Sequence, residues 1–303
     1  MKNKALKRLI YGLLAFLISF PLFSYKSIGS IKKDTLPDSG FKIKTIIVDA
    51  GHGNYHPTGT SGYYSKGASG SYSHERDVTL SVAKKLQIAI EKELLGVRSV
   101  LTRNSDDDVS WQDRARIANE NKGDIFISLH CNSLGDKHIR QVVGHKHHKP
   151  VYRTISVPDR SGKGVLLLVY GAWRTKEEEN AIKHNQIEED AEVNTEAVNV
   201  NDPMTMILIN EFKAKFRKQS IHLANLINSE FVETDGRPTD GVREQGLYVL
   251  CHSAMPTVLV EMGYINNPQD EDYLNSEKGQ DEIVESIVRA LKNYKDAVEQ
   301  ISK

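Results

Sequence analysis

Three short apolar runs in this chain lead directly into residues capable of acid–base or metal-binding chemistry: His52, His130 and Glu261. Between these runs lie segments, such as 78–90, in which apolar residues recur about every four positions, which favours helices. The alternation predicts an α/β fold: a single layered domain with a mostly parallel or mixed central sheet flanked by helices, plus a helical insert. Such sheets place their sites beyond the carboxyl ends of the strands, so we expect the three residues to meet there.

Further patterns supply the other elements. Ser110 and Asp113 have the spacing of a helix capping box, which predicts a helix to about Asn121. A long helix is expected from about Met204 to Phe231. The segments predicted to form strands are 44–48, 97–102, 124–129, 164–170, 247–250 and 257–260.

The first 26 residues have the pattern of a secretory signal peptide. They contain five Lys or Arg residues and no acid, and the basic start precedes an apolar run at 9–23. That run has the length of a signal peptide's apolar region and is short for a membrane span. The residues around Ser24 lack a small-x-small cleavage pattern, so an uncleaved membrane anchor is the alternative. Residues 27–40 are polar and predict a linker, and the mature protein is expected in the periplasm or cell envelope.

Charge and cysteine content exclude several classes of protein. The chain has 40 basic and 40 acidic residues, and without residues 1–26 the count is 35 against 40. There is therefore no basic excess of the kind that nucleic-acid-binding proteins carry. Two cysteines, Cys131 and Cys251, are too few for a disulfide-dense scaffold or a multi-cysteine zinc module. The sequence leaves open whether these two cysteines pair.

The candidate chemical residues suit a catalytic metal site. Such sites take three His or carboxylate ligands and keep one position for water, and His52, Glu75 and His130 offer those ligand types. Glu261 ends an apolar run, and a general base beside a metal-bound water would explain an acid there. Each residue also has a simpler interpretation: a hydrogen-bonded loop histidine, a helix-start acid favoured by the helix dipole, or a carboxylate paired with Arg243.

Seven motifs occur in order along the chain. They are DAGHG at 49–53, Glu75 before DVTL at 77–80, LTR at 101–103, RARIAN at 114–119, SLHCN at 128–132, LYVL at 247–250 and MPTVLVEMGYINN at 255–267. Together they closely resemble the zinc-dependent N-acetylmuramoyl-L-alanine amidases with the type 3 catalytic domain. The resemblance runs from residue 43 to about 295, so a catalytic domain is expected at 41–298.

The resemblance implies a reaction and roles for named residues. It implies one Zn²⁺ per chain, with His52, Glu75 and His130 as its ligands and Glu261 as the catalytic glutamate. The substrate implied is peptidoglycan, cut at the amide bond between N-acetylmuramic acid and L-Ala of the stem peptide. Asn132 is a candidate substrate contact, and so is Arg243, since the stem peptide carries carboxylates; ordinary turn and ion-pair roles are the alternatives.

A segment at about 134–210 is longer than minimal domains of this family have. It resembles the insert of periplasmic division-type amidases, in which a helix covers the zinc until a partner protein displaces it. This implies autoinhibition, a periplasmic activator protein and a role in cell-wall remodelling and daughter-cell separation. The relatives' Arg-Glu-Asn context is replaced here by Lys-His-Asn at 183–185, so the candidate inhibitory zinc contacts are His184, Glu178 and Glu188. A solvated acidic helix without a special role is the alternative.

The tract with His145, His147 and His148 could suggest a second metal site. The interleaved lysines and the lack of a predicted rigid element instead favour a flexible exposed loop. Two other functions fit the same residues. One is a zinc carboxypeptidase acting within the stem peptide, and the other is a non-catalytic wall-binding protein, which the filled ligand positions and Glu261 disfavour.

Overall fold

A six-stranded sheet organises the chain, and helices cover both of its faces. The computed structural model describes residues 41–54, 62, 64–171, 175–182 and 203–301, so the predicted signal peptide and linker lie outside the described residues. The strands are β1 (Thr45–Ala50), β2 (Arg98–Leu101), β3 (Ile125–Asn132), β4 (Lys137–Lys146), β5 (Lys149–Val157), β6 (Val165–Tyr170), β7 (Thr239–Gln245) and β8 (Thr257–Tyr264). The helices are α1 (Glu75–Glu93), α2 (Trp111–Glu120), α3 (Thr175–Ile182), α4 (Pro203–Ser229), α5 (Tyr248–Cys251), α6 (Pro268–Asn275) and α7 (Glu277–Ile301).

The main sheet has the order β2-β1-β3-β8-β6-β7. All neighbouring strands are parallel except β6 and β8, which run antiparallel. This confirms the predicted mixed, mostly parallel sheet in an α/β fold. In the central strands β1 and β3, five consecutive residue pairs from Ile46 and Ile125 onward are in register. The carboxyl ends of β1, β3 and β2 therefore meet at one edge.

Two buried clusters cover the two faces of the sheet. The larger cluster joins the sheet to one side of α1, α4 and α7, with Leu86, Ile227 and Ile287 among its fully buried members. The smaller cluster lies on the other face, where Ala118 of α2 and Leu250 of α5 pack against it. Alternate residues of each strand enter opposite clusters, as the twofold side-chain period of a strand requires. The layered architecture follows from this arrangement.

Local signals fix where several helices begin. The Ser110 side chain accepts a hydrogen bond from the Asp113 backbone N–H at 3.1 Å, which confirms the predicted start of α2. Asn267 caps α6 in the same way, and Pro268 occupies its first turn. Helix α1 starts at Glu75 itself, with Asp77 also in the first turn, where acids favour the helix dipole.

One predicted strand is wrong, and one strand was not predicted. Residues 247–250 were predicted as a strand, but Tyr248–Cys251 form a single helical turn that buries Val249 and Leu250. A run of four apolar residues has no period that separates a strand from a buried helical turn. Strand β7 was missed because its half-exposed sequence TDGVREQ carries two acids, a glycine and few apolar residues.

The tract around His145 is also not a loop. Residues 137–157 form the two-stranded antiparallel hairpin β4–β5, with His147 and His148 as its turn. Both turn residues have positive φ angles, 51° and 63°, as a tight two-residue hairpin turn requires. The sequence lacks the Asn-Gly or Asp-Gly signal that usually marks such turns, so the hairpin could not be recognised from it.

Among the helices that the structure describes, none combines the length and the hydropathy of a membrane span. Cys131 and Cys251 are both buried and form no disulfide with each other, which answers the question that the sequence left open. They lie in the two different clusters, on opposite faces of the sheet. The range 134–210, predicted as an insert, contains the hairpin, the central strand β6 and helix α3.

Candidate metal centre and catalytic cleft

His52, Glu75 and His130 converge at the carboxyl end of β1 and β3. His52 Nε2 lies 3.2 Å from Glu75 Oε1, and His130 Nδ1 lies 3.0 Å from the same oxygen. The imidazole rings of the two histidines meet edge to face, with centroids 4.8 Å apart. One ligand atom from each of the three residues falls within 4.8 Å of the other two. Of the residues that the structure describes, these three form the only such group of potential metal ligands.

Backbone groups hold the Glu75 carboxylate in place. Its Oε2 accepts a hydrogen bond from the Ala68 N–H at 2.7 Å, and its Oε1 accepts one from the Cys131 N–H at 2.9 Å. Burial alone would raise the pKa of Glu75, but hydrogen bonds and charge from His130 and His52 lower it well below its ordinary value. Glu75 is therefore ionised at neutral pH, as a metal ligand must be.

Two glycines leave room for this group. A side-chain carbon at Gly51 would stand 2.5 Å from the His130 ring, and one at Gly67 would stand 2.7 Å from Glu75 Oε2. Gly67 also has a φ of +74°, a conformation that suits glycine. The backbone therefore approaches the three candidate ligands more closely than any other residue type would allow.

A buried network fixes the loop that carries His52. His52 itself has a φ of 61°, which is uncommon for a residue with a side chain. Arg114 donates hydrogen bonds to the carbonyls of His52 and Ala50, at 2.9 and 2.6 Å. Arg103 donates to the carbonyls of Ala50 and Gly51, at 2.9 and 3.0 Å. Two guanidinium groups thus hold three successive carbonyls in a strained turn.

Buried acids compensate the charge of Arg114. Its ion pairs reach Asp49 at 2.6 Å and Asp108 at 2.9 Å. Burial would raise the pKa of Asp49, but Arg114 and hydrogen bonds from Ser128 and Thr102 lower it. We did not predict a role for this network from sequence. The one feature of the sequence that points to this network is that Asp49, Arg103 and Arg114 all lie within the ordered motifs.

Glu261 lies beside the metal-ligand group on the neighbouring strand. In the parallel pairing of β3 and β8, Glu261 is the register partner of His130. Its Oε2 is buried and has no hydrogen-bond partner among the residues that the structure describes. Burial raises the pKa of Glu261 to about 8, and the charge of Glu75 acts in the same direction. The suggested alternative, pairing with Arg243, is wrong: Arg243 is exposed and its ion pair is with Asp240, at 3.6 Å.

A cleft of about 690 Å³ opens over these groups. His52, His130 and Glu261 form its floor together with Leu168 and Leu259 of the sheet. Its walls come from the start of α2 and from the segment that joins β7 to α5. The wall residues include Ser65, Trp111, Gln245, Gly246, Leu247 and Tyr248. The cleft thus gives access to His52, His130 and Glu261 at the same time.

The other predicted site residues lie outside the lining of this cleft or outside the described residues. Asn132 accepts a hydrogen bond from the Ser133 N–H at 2.8 Å through its side chain, which is a turn role. His184 and Glu188 lie outside the described residues. Glu178 lies in α3, and the structure does not describe its side chain. Helix α3 packs through Ala181 and Ile182 against α4 and the residues after α5.

The donor set fits a zinc ion. Two imidazoles and one carboxylate are a known ligand combination for catalytic zinc, and a catalytic site keeps a further position for water. The unpartnered Oε2 of Glu261 is a buried acceptor of the kind that such a water would satisfy. Gly51 and Gly67 keep the space around the ligands clear of side-chain atoms. The ligand types, the unpartnered oxygen of Glu261 and the two glycines are all features of the protein chain itself.

Comparisons with known proteins agree with this geometry. The germination-specific N-acetylmuramoyl-L-alanine amidase of Bacillus subtilis is 24% identical over 308 residues, covering 96% of each chain. The N-acetylmuramoyl-L-alanine amidase AmiC of Escherichia coli O6:H1 is 26% identical over 254 residues. That alignment covers 82% of this chain and 52% of AmiC. The chain also spans 61% to 63% of the length of three matched staphylococcal proteins.

Solved structures show the same fold. The CwlD amidase of Clostridioides difficile, solved in complex with the GerS lipoprotein, superposes with a TM-score of 0.56 at 18% identity. The match covers 84% of this chain and 99% of that one. The model of the Amidase_3 family, described as N-acetylmuramoyl-L-alanine amidase, matches residues 46–293, which is most of the chain. The chain therefore belongs to the N-acetylmuramoyl-L-alanine amidase family.

Proposed function

We propose that this protein hydrolyses the amide bond between the lactyl group of N-acetylmuramic acid and L-Ala of the stem peptide in peptidoglycan. The observation that carries the proposal is the position of Glu261. A buried carboxyl group with an unpartnered oxygen stands next to His130, in register on the adjacent strand, and both line an open cleft. Membership of the amidase family supports the choice of bond.

His52, Glu75 and His130 would hold one zinc ion in this mechanism. A bound zinc ion lowers the pKa of its water towards 7 and polarises the scissile carbonyl, as in known catalytic zinc sites. The protein's contribution is to fix three ligands before the ion arrives. The Arg114 and Arg103 hydrogen bonds to the 50–52 carbonyls do this for His52, and two backbone N–H groups do it for Glu75.

Glu261 would move the proton. As the general base it accepts a proton from the attacking water at its buried carboxylate, and as the general acid it returns that proton to the leaving nitrogen of L-Ala. Burial raises the pKa of Glu261 in the metal-free protein, and the positive charge of a zinc ion bound beside it would lower that pKa again towards the working pH, where a carboxyl group can both accept and donate a proton.

Product analysis tests the proposed bond. Zinc-loaded protein spanning residues 28–303 is incubated with purified peptidoglycan, and the soluble fragments are identified by mass spectrometry. Whole stem peptides beginning with L-Ala support an amidase. Release of terminal amino acids alone would support the zinc carboxypeptidase instead. Absence of any product from protein that binds zinc and unfolds cooperatively would count against hydrolysis by this chain alone.

We further propose that the protein acts outside the cytoplasm, in the periplasm or cell envelope, in wall remodelling and daughter-cell separation. The pattern of residues 1–26 and the extracellular location of peptidoglycan support this proposal. Fractionation of cells producing the full chain would test it. Recovery of the protein only in the cytoplasm, with its first residues intact, would contradict export.

Autoinhibition by the segment after β6 is the regulatory part of the proposal. Helix α3 contacts α5, and Tyr248 of α5 lines the cleft, which supports an inhibitory role for the segment that contains α3. A side chain from Glu178, His184 or Glu188 would occupy the open metal position, and a protein activator would remove it. CwlD, a protein of the same fold, was solved in complex with a lipoprotein, which supports the idea of a protein partner for this chain.

Three single substitutions separate the candidates for inhibition. Glu178→Ala, His184→Ala and Glu188→Ala are compared with Glu179→Ala, whose partner is Lys213 rather than the site. The inhibitory residue is the one whose removal raises activity on cell-wall sacculi. If none of the three, nor their combination, raises activity in protein that still binds zinc, the segment is not an inhibitor.

A further inference from the structure

The hairpin β4–β5 stands apart from the rest of the domain. Its two strands are hydrogen-bonded to each other and form a sheet of their own, separate from the main sheet. All ten residues of β4 and most of β5 are exposed. An isolated two-stranded hairpin is marginally stable in water, so its surface composition indicates what covers it.

The hairpin is strongly cationic. Residues 137–157 contain five Lys or Arg residues, four His residues and no Asp or Glu. The chain as a whole has equal numbers of basic and acidic residues. Lys137 forms an ion pair with Asp159, at the base of the hairpin, at 2.8 Å. The described ion pairs include none for Lys146, Lys149 or Arg153, so the charge nearer the turn faces outward.

The hairpin also exposes several large apolar side chains. Ile139, Val142, Val143, Val151 and Tyr152 keep between 40% and 49% of their surfaces exposed. The register places Ile139 opposite Ile155, and the alternation of side chains puts Val151 on the same face. On the other face, the Arg140 guanidinium lies 4.6 Å from the centre of the Tyr152 ring. Soluble proteins seldom expose such a group of large apolar side chains without a partner.

We propose that this hairpin docks the protein onto an anionic lipid membrane. Apolar side chains framed by Lys and Arg match the boundary between headgroups and acyl chains, where apolar groups enter and cations meet anionic headgroups. A soluble anionic polymer would neutralise the charges but leave Ile139 and Val151 in water. The paired strands satisfy each other's inner backbone groups, and the outer edges can be hydrated at the headgroup level.

The hairpin joins the catalytic domain close to the cleft. It begins five residues after Asn132, the last residue of β3, which carries His130 at the carboxyl edge of the sheet. Docking through the hairpin would therefore hold this edge near the membrane surface. The proposal rests on the hairpin alone and stands or falls independently of the amide bond that the enzyme cleaves.

Vesicle binding tests the proposal. Residues 41–303, which contain the whole described core, are mixed with phosphatidylglycerol or phosphatidylcholine vesicles, and binding is measured by co-sedimentation. Binding is expected to the anionic vesicles and to weaken with salt. The triple change Lys146→Gln, Lys149→Gln and Arg153→Gln should weaken binding about 100-fold, at roughly a fivefold loss for each cation.

Two further sets of substitutions test whether the charges and the apolar side chains of the hairpin itself cause the binding. Lys84→Gln, Lys92→Gln and Lys278→Gln remove the same charge from exposed lysines of α1 and α7 and should leave binding within about threefold of wild type. Ile139→Ser with Val151→Ser keeps every charge and should weaken binding by about tenfold or more. All variants should keep the wild-type unfolding midpoint and their activity on soluble muropeptides.

Three results would overturn the proposal. Equal binding to neutral and anionic vesicles would show that charge does not drive binding. Equal losses of affinity in the hairpin triple variant and in the triple variant of Lys84, Lys92 and Lys278 would show that the hairpin is not the binding surface. Full affinity in the Ile139→Ser, Val151→Ser variant, with complete competition by soluble polyphosphate, would indicate an anionic polymer rather than a membrane.

Discussion

His130 and Glu261 are register partners on the adjacent parallel strands β3 and β8. Neighbouring strands lie about 4.8 Å apart, and side chains in register point to the same face of the sheet. A candidate metal ligand and a candidate proton carrier are thus placed side by side by strand pairing alone. Because each strand is held by strands on both sides, this distance is fixed by the core of the domain rather than by a loop.

Replacement of Glu261 by Gln should therefore remove catalysis and keep the metal. The amide has nearly the same shape but cannot accept the proton, so we expect hydrolysis of peptidoglycan to fall about 10²- to 10⁴-fold. Zinc content, measured by atomic absorption, should stay near one ion per chain. Glu285→Gln, on an exposed face of α7, is the control and should be fully active. Substantial activity in Glu261→Gln would remove the proposed proton carrier.

The same residue predicts how pH affects the stability of the metal-free protein. The native pKa of Glu261 is about 8, whereas an unfolded glutamate titrates near 4.3. Between these values the native state holds a proton that the unfolded state has lost. The free energy of unfolding should therefore decrease as pH rises from about 4.3 to 8 and level off above that range.

Glu261→Gln removes the loss of stability that ionisation of the buried carboxyl group causes at high pH. In metal-free protein at pH 9, the variant should be more stable than wild type by about 2–4 kcal/mol, and the difference should vanish near pH 4. Urea unfolding at several pH values measures it, with Glu285→Gln expected to follow wild type throughout. An equal difference at pH 4 and pH 9 would show that shape or packing, not charge, separates the two proteins.

The chemical residues could be predicted from sequence, but most of the contacts that hold them could not. His52, His130 and Glu261 each follow an apolar run, and a parallel sheet brings the ends of such runs together. The apolar runs of β1, β3 and β8 and the fourfold period of α1 could be recognised without tertiary information. Glu75 was less evident, because an acid at a helix start has a simpler explanation in the helix dipole.

What the sequence could not show depends on side-chain reach and on tertiary context. Arg114 lies 65 positions after Asp49, and nothing local to either residue predicts their buried ion pair. Strand β7 forms from a largely polar sequence because it adds to the edge of an existing sheet beside β6. The hairpin β4–β5 depends on two histidines with positive φ, which is uncommon for any residue other than glycine and marks a turn less clearly than Asn-Gly does.

The arginine network gives a third prediction. Arg114→Lys keeps the positive charge but loses the forked geometry that reaches Asp49, Asp108 and the His52 carbonyl together. We expect the free energy of unfolding to fall by about 2–4 kcal/mol. Zinc affinity should fall about 10- to 100-fold, as it does when groups behind metal ligands are removed.

Competition with a chromophoric zinc chelator measures the change in affinity. Arg116→Lys is the matched control, since Arg116 lies on the same helix but forms exposed pairs with Asp113 and Glu120. It should change neither zinc affinity nor stability by more than a small amount. Unchanged zinc affinity in Arg114→Lys would mean that the His52 turn does not need the guanidinium.

Glu271 provides the last prediction, through the loop that leads to Glu75. Its buried carboxylate accepts hydrogen bonds from the N–H groups of Ser71, Tyr72 and Ser73 and from the Ser73 hydroxyl, all between 2.8 and 3.0 Å. Burial would raise the pKa of Glu271, but these hydrogen bonds lower it overall. The stability that Glu271 contributes is therefore complete above about pH 4.3 and is lost as pH falls through its native pKa.

Glu271→Gln should destabilise the protein by about 2–3 kcal/mol at pH 7, because an amide accepts fewer and weaker hydrogen bonds than a carboxylate. The difference from wild type should shrink as the pH falls below 4. At pH 7 and above Glu271→Gln is less stable than wild type, whereas Glu261→Gln is more stable, so the two changes have opposite signs. Urea unfolding of both variants across one pH series tests the two signs together. Since Glu271 holds the turn just before α1, its loss should also weaken zinc binding, whereas Glu285→Gln should not. A variant that loses stability equally at all pH values would show that the carboxylate charge has no part in holding this loop.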